Sequence, residues 1–206
     1  MLNIALPKGR LADEVFALLE KCGYEGALAA KGSRKLVLED RRSGIRYFLV
    51  KPSDAAIYVL HGAADIGVVG KDILLETNPD VYELLDLRLG ICDMVVAGPK
   101  DYCGSKQTLR VATKFPNIAR KYYGQKGQNI ELVALNGSVE LAPIVGLSDV
   151  VVDITQTGST LKANKMAVLE TIMPISARLI ANISSYKFKA AEIDRIKRAL
   201  AGEAGR

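Results

Sequence analysis

The residues best equipped for chemistry stand between Asp149 and Leu161, where the chain reads Asp-Val-Val-Val-Asp-Ile-Thr-Gln-Thr-Gly-Ser-Thr-Leu. Val150, Val151 and Val152 form a β-branched apolar run of the kind that fills a buried parallel strand. That run ends in a carboxylate, Asp153, and Thr155, Gln156, Thr157, Gly158, Ser159 and Thr160 follow before Leu161 opens a helix. Backbone N–H groups and hydroxyls gathered at a helix start make an anion cradle. Gly158 lets the main chain approach a ligand with no Cβ in the way. Asp153 is spaced to accept hydrogen bonds from sugar hydroxyls beside the anion, so the set suits a ribose 5-phosphate. The same Thr/Ser-rich turn also serves as an ordinary capped helix start, with Thr157 or Ser159 as the N-cap. The acid at the strand end, and a repeat described below, favour the ligand site.

Cations of the right type occur elsewhere. Lys8 and Arg10 flank Gly9 just after the first apolar run, an arrangement suited to phosphate oxygens: Arg offers a bidentate fork, Lys a point charge. Arg34 is a second such candidate, and Lys51 and Lys71 are weaker ones; each also reads as a solvated surface cation. Glu140, in Asn-Gly-Ser-Val-Glu, enters the first turns of a short helix. There it either complements the helix start or holds ribose hydroxyls, directly or through Mg²⁺. His61, the lone histidine, precedes Gly62 at the end of a helical segment, where an imidazole caps carbonyls. No Ser/His/Asp or Cys/His set can be assembled around it. Cys22, beside the helix-ending Gly23, reads as core.

These residues need elements to hold them, and the chain alternates short apolar runs with helical periodicity, the pattern of an α/β fold. Strands are expected at 3–6, 36–38, 45–50, 66–69, 109–112, 130–134 and 150–154, and helices from 11 to Gly23, from Pro52 to His61, and over 116–123 and 139–145. A final amphipathic helix presents Ile193, Ile196 and Leu200 on one face. The β-rich stretches 166–175 and 177–183 are expected to return the chain to the first lobe. Gly62-Ala-Ala-Asp65-Ile-Gly-Val-Val69 and Gly146-Leu-Ser-Asp149-Val-Val-Val-Asp153 match locally, each setting Gly three residues before an Asp that leads into an apolar strand. Two similar α/β lobes follow, each with a ligand-facing loop after that strand: Gly70-Lys71-Asp72 in one, Thr155–Thr160 in the other. A two-lobed α/β protein takes its ligand at the carboxyl ends of its strands, in the cleft between the halves.

Composition narrows the function class. At 206 residues and 49% hydrophobic content the chain can bury a real core. No stretch reaches the ~18 apolar residues of a membrane span, and Lys8 and Arg10 follow the first apolar run rather than precede it, unlike a signal peptide. Three cysteines without a CxxC pair suit reduced thiols in a cytoplasm. The net charge of +5 comes without tryptophan and with only 6% aromatic residues, which argues against a nucleic-acid surface and for small polyanions.

Together, Leu6-Pro7-Lys8-Gly9-Arg10, the segment 62–72, Val111-Ala112-Thr113-Lys114, the segment 136–143 and the segment 153–161 resemble, in order and over nearly the whole chain, the short form of ATP phosphoribosyltransferase, the enzyme of the first step of histidine biosynthesis. The resemblance implies a two-lobed fold like that of type II periplasmic binding proteins, with residues 1–90 plus 180–206 as the ATP-side lobe and 91–179 as the lobe for 5-phosphoribosyl 1-diphosphate (PRPP). It implies that adenine N1 of ATP displaces diphosphate from C1 of PRPP with help from Mg²⁺ held mainly by substrate. Glu140, Asp153 and Thr157–Leu161 would hold the ribose 5-phosphate; Arg10 and Arg34, with Lys8, Gly9, Lys51 and Lys71 in weaker roles, would lie where ATP meets the departing diphosphate. It further implies a catalytic-chain homodimer within a hetero-oligomer, completed by a regulatory subunit related to histidyl-tRNA synthetase. Two rivals remain at this level. A type I nucleobase phosphoribosyltransferase usually sets two adjacent acids after its strand, where Ile154 follows Asp153 here. A noncatalytic small-ligand-binding module would share the two-lobed fold.

Overall fold

The computed structural model describes residues 1–24, 35–102, 104 and 107–204. They divide into two compact units: Met1–Leu74, Asn78–Gly90 and Ser176–Arg206 form the first, Leu75–Thr77 and Ile91–Ile175 the second. The chain thus re-enters the first unit at Ser176, where the sequence reading set residue 180. In chain order come β1 (Leu2–Pro7), α1 (Arg10–Lys21), β2 (Val37–Asp40), β3 (Ile45–Val50), α2 (Ala55–Leu60), β4 (Ile66–Gly70), α3 (Lys71–Thr77) and β5 (Tyr82–Asp86). The second unit carries β6 (Cys92–Pro99), β7 (Thr108–Thr113), α4 (Pro116–Gln125), β8 (Asn129–Ala134), α5 (Leu141–Ile144), β9 (Val150–Thr155), α6 (Ser159–Ala163) and β10 (Met166–Ile175). β11 (Ala177–Ala181) and α7 (Ile183–Glu203) complete the first unit.

The two sheets share one plan. The first runs β2-β3-β1-β4-β11-β5 and the second β10-β6-β9-β7-β8. In each, three parallel strands (β3-β1-β4, β8-β7-β9) continue into an antiparallel fourth (β11, β6), and a fifth (β5, β10) pairs antiparallel with that fourth and so runs in the direction of the first three. β2 is an addition to the outer edge of the first sheet. The parallel strands read as unbroken apolar runs because both faces are covered: Ile4, Ala5 and Leu6 of β1 and Val150, Val151 and Val152 of β9 are all buried.

The repeated Gly-x-x-Asp has a matched structural role in the two units. Gly62 and Gly146 take left-handed φ values of 70° and 74°. The Asp N–H that follows donates to a neighbouring strand's carbonyl, Asp65 to Asn3 at 2.9 Å and Asp149 to Arg110 at 2.9 Å. The carboxylate then accepts the same residue's N–H, Asn3 at 2.8 Å and Arg110 at 2.9 Å. Each buried acid therefore ties the start of one parallel strand to its neighbour, β4 to β1 and β9 to β7.

Helices cover both faces of the first sheet. α1 buries Val15, Phe16, Leu18 and Leu19 and ends at Gly23, φ 85°. With Ile193, Ile196 and Leu200 of α7 it packs one face, while Ala55, Ala56 and Val59 of α2 cover the other.

Three sequence expectations change. Gly70-Lys71-Asp72 is not a loop: Gly70 caps α3, which starts at Lys71. β10 does not return to the first unit but pairs with β6 in the second; only β11 crosses back, against β4. Residue 183 opens α7 rather than ending a strand, because Asn182 caps the helix by accepting the Ser185 N–H at 2.9 Å. β5 and β6 are strands beyond those expected from the sequence.

Candidate functional site

In the second unit one cavity of about 180 Å³ gathers Glu140, Asp153, Thr157, Gly158, Ser159, Thr160 and Leu161, with Thr155 and Gln156 completing its rim. Its floor is sheet: Val95 and Ala97 of β6 and Val151 of β9 line it and are buried. Asp153 stands opposite Val95 in the β6–β9 register, at the carboxyl end of β9, and is half-buried. Glu140, also half-buried, enters from the segment that leads into α5.

The turn's own hydrogen bonds set its shape. The Gly158 N–H donates to Thr155 Oγ1 at 3.1 Å, and Gly158 then turns left-handed at φ 68° as the N-cap of α6. Thr157 Oγ1 donates to Ser159 Oγ at 3.0 Å. No side chain caps α6, so neither Thr157 nor Ser159 fills the N-cap place. The Thr160 and Leu161 N–H groups find no acceptor among the described residues, as expected of a helix's first turn. With the hydroxyls of Thr157, Ser159 and Thr160, they make a donor-rich rim beside a carboxylate. Donors suit phosphate oxygens and an acceptor suits sugar hydroxyls.

Thr155 and Gln156, expected in the ligand-facing loop but given no contact of their own with the sugar phosphate, line the cavity with the rest of that loop. Sequence reading missed Val95 and Ala97 because β6 was unread; the apolar run Met94–Ala97 was the signal for that strand.

In the first unit the basic candidates sit at the carboxyl ends of the parallel strands. The Lys8 N–H donates to the Val50 carbonyl at 2.8 Å, which brings the ends of β1 and β3, and so Lys8 and Lys51, side by side. Gly9, at φ 95°, starts α1 as its N-cap. Arg10 opens that helix with its side chain 70% exposed, its Nε 3.7 Å from Glu14. Lys71 follows β4 but is committed, its Nζ 2.6 Å from Glu83. Arg34 lies outside the described residues. His61 is the C-cap residue of α2, and burial pushes the Cys22 thiol above its ordinary range, away from nucleophilic thiolate. Among the described residues no three His, Cys, Asp or Glu side chains converge on a metal position, and no helix is long and apolar enough to cross a membrane.

The family model HisG, ATP phosphoribosyltransferase, matches residues 51–202. An ATP phosphoribosyltransferase of Thermoanaerobacter sp. (strain X514) is 56% identical over 196 residues, 95% of this chain and 92% of its own. That of Clostridioides difficile is 52% identical over 199 residues, 96% and 95% of the two chains. Among solved structures, a chain of the ATP phosphoribosyl transferase (HisG:HisZ) complex from Thermotoga maritima superimposes with a TM-score of 0.85 at 38% identity, covering 100% of this chain and 99% of that one. The periplasmic aliphatic sulphonate binding protein SsuA of Escherichia coli, 13% identical, covers 98% and 72% with a TM-score of 0.64, a likeness of fold alone. The chain belongs to the HisG family of ATP phosphoribosyltransferases.

Proposed function

We propose that the chain joins ATP to PRPP, giving N1-(5-phosphoribosyl)-ATP and diphosphate in the first step of histidine biosynthesis, and that the β9–α6 turn grips the donor's ribose 5-phosphate. The observation that carries this reading is the single cavity shared by Glu140, Asp153 and Thr157–Leu161. At about 180 Å³ it is smaller than the ~300–1,000 Å³ of a whole-ligand pocket, and so suits a sugar phosphate rather than a nucleotide. The Thr160 and Leu161 N–H groups and the neighbouring hydroxyls face the 5-phosphate, while Asp153 and Glu140 accept from the ribose hydroxyls.

As the bond from adenine N1 to C1 forms, the C1–O bond to diphosphate breaks and its electron pair leaves with the diphosphate. No protein nucleophile is needed. The chain contributes by fixing the sugar so that C1 meets N1 in line, and by placing cations where negative charge grows. Arg10 is our candidate for that second role, with Lys8, Gly9 and Lys51 beside it at the strand ends of the first unit; Arg34 is kept as a further candidate, and Lys71 acts through its pair with Glu83. Mg²⁺ suits the oxygen-only donors of Asp153 and Glu140, and when bound on the donor it neutralises diphosphate charge. The compartment is proposed to be the cytoplasm. A HisZ-type subunit, related to histidyl-tRNA synthetase, is proposed as the partner, as in the Thermotoga maritima complex, with the catalytic chain as a homodimer in the assembly.

Titration of ribose 5-phosphate into the chain tests the donor site. Saturable binding that Asp153→Ala weakens at least tenfold supports it; unchanged affinity in the variant overturns it.

A further inference from the structure

The turn that walls the sugar-phosphate cavity has a second side. From Thr155 to Gly158, and again at Leu161, the same residues line another cavity of the second unit, of about 470 Å³. Its chemistry is different. The floor is apolar, built on Met166, 2% exposed, and Leu161, 6% exposed. Lys100, just past β6, and Lys162, in α6, also line it. Neither ammonium has a hydrogen-bond or ion-pair partner among the described residues, and no carboxylate lines this cavity, whereas the first cavity carries Glu140 and Asp153.

We infer that this cavity is a second ligand site, for a small anion with a compact apolar body, and that its occupancy changes the affinity of the first site through the shared turn. A volume of about 470 Å³ falls in the range of small-molecule pockets. An inorganic anion would leave the Met166 floor wet, and a neutral hydrocarbon would leave both lysines unanswered; a ligand with both parts satisfies both. The coupling follows from the wall itself. α6 is a single short helix of five residues entered through the left-handed Gly158, which makes no contact through a Cβ. Such an element has little local stability, so a ligand on one side shifts the donors on the other. Linkage requires the effect to be reciprocal.

The coupling half rests on the donor reading above; the existence of the second site does not. The test uses the full-length chain and 1-naphthoate, whose fluorescence no tryptophan of the chain overlaps. Naphthalene-1-methanol is the neutral control, and ribose 5-phosphate is titrated separately. Saturable naphthoate binding, at least tenfold tighter than the alcohol and weakened at least tenfold in Lys100→Met/Lys162→Met, is expected. The double variant keeps the ribose 5-phosphate affinity of the parent within twofold and an unchanged circular dichroism spectrum. Each ligand is expected to change the other's Kd by the same factor, threefold or more. Equal affinity for naphthoate and alcohol, no saturation, or indifference to the double substitution overturns the site. Binding of both ligands without mutual effect overturns the coupling. Naphthoate binding with no ribose 5-phosphate binding leaves the second site standing and removes the donor reading instead.

Discussion

Gly158 shows at a single position how much of the site is backbone. Its φ of 68° is reached by other residues only at a cost of roughly 1–2 kcal/mol, yet a Cβ placed there would touch nothing within 4 Å. Gly158→Ala is therefore expected to fold, with a modest fall in Tm and a raised KM for PRPP, since the strain is relieved by turning the Thr160 and Leu161 N–H groups away. Parent-like kinetics would remove the backbone from the site. Side chains divide the labour differently. Asp153→Ala is expected to raise the KM for PRPP with little change for ATP, while Arg10→Ala mainly lowers kcat, by the ~2.7–4 kcal/mol typical of one lost charge-stabilising donor. Steady-state kinetics with each substrate varied separates the two. The residues of the β9–α6 turn were legible because one uninterrupted stretch carries the acid, the hydroxyls and the glycine. The ion pair of Lys71 was not legible for the opposite reason: its partner Glu83 lies on β5, a strand whose mixed sequence Tyr-Glu-Leu-Leu-Asp gives no clear period.

At the scale of elements, close approach and buried charge decide. Gly67 in the middle of β4 has α2 lying on it: an added Cβ would stand 2.7 Å from Val59 Cγ2 and 3.2 Å from the Ala5 carbonyl oxygen. Gly67→Ala is expected to cost about 1–3 kcal/mol through overpacking, read as a lower Tm in thermal unfolding; an unchanged Tm would mean that α2 moves away freely. Asp65 makes a pH prediction. Burial pushes its carboxyl up, but the Asn3 N–H, the Lys189 ammonium 2.8 Å away and the Ser185 hydroxyl outweigh burial and hold it below the ordinary carboxylate range. A folded pKa below the unfolded one contributes stability that is complete above about 3.9 and fades as pH falls through the folded value. In Lys189→Met burial acts with less opposition, so acid unfolding followed by circular dichroism is expected to begin at a higher pH than in the parent. The paired Gly-x-x-Asp segments announced this element in both units, because a left-handed glycine followed by a register-setting acid is local chemistry. β10 was misplaced because its partner is not local: it pairs with β6 through two register shifts, between Val168 and Glu170 and between Thr171 and Met173, and nothing in its own sequence says which sheet receives it.

Over the whole molecule, the shared sheet plan predicts where ligands leave their marks. Each unit brings its candidate residues to the carboxyl ends of three parallel strands, β3-β1-β4 in one and β8-β7-β9 in the other, as α/β sheets do. The chemistry at those ends is unequal. The second unit offers hydroxyls, backbone donors and carboxylates suited to a sugar phosphate, while the first offers Lys8, Arg10 and Lys51, suited to a polyphosphate. This asymmetry has a direct readout in amide hydrogen exchange. Ribose 5-phosphate is expected to slow exchange at the β9–α6 turn and in β6 beneath it, leaving the segment after β1 unchanged; ATP is expected to do the reverse. Bound at 100 times its Kd, a ligand stabilises the folded chain by about 2.7 kcal/mol. Amides that exchange only through opening of the unit that binds should then slow by close to a hundredfold, and those of the other unit should not, as long as each opens around its own core. Protection by ribose 5-phosphate at Lys8–Arg10, with none at 155–161, would place the donor in the wrong unit and reverse every role assigned above.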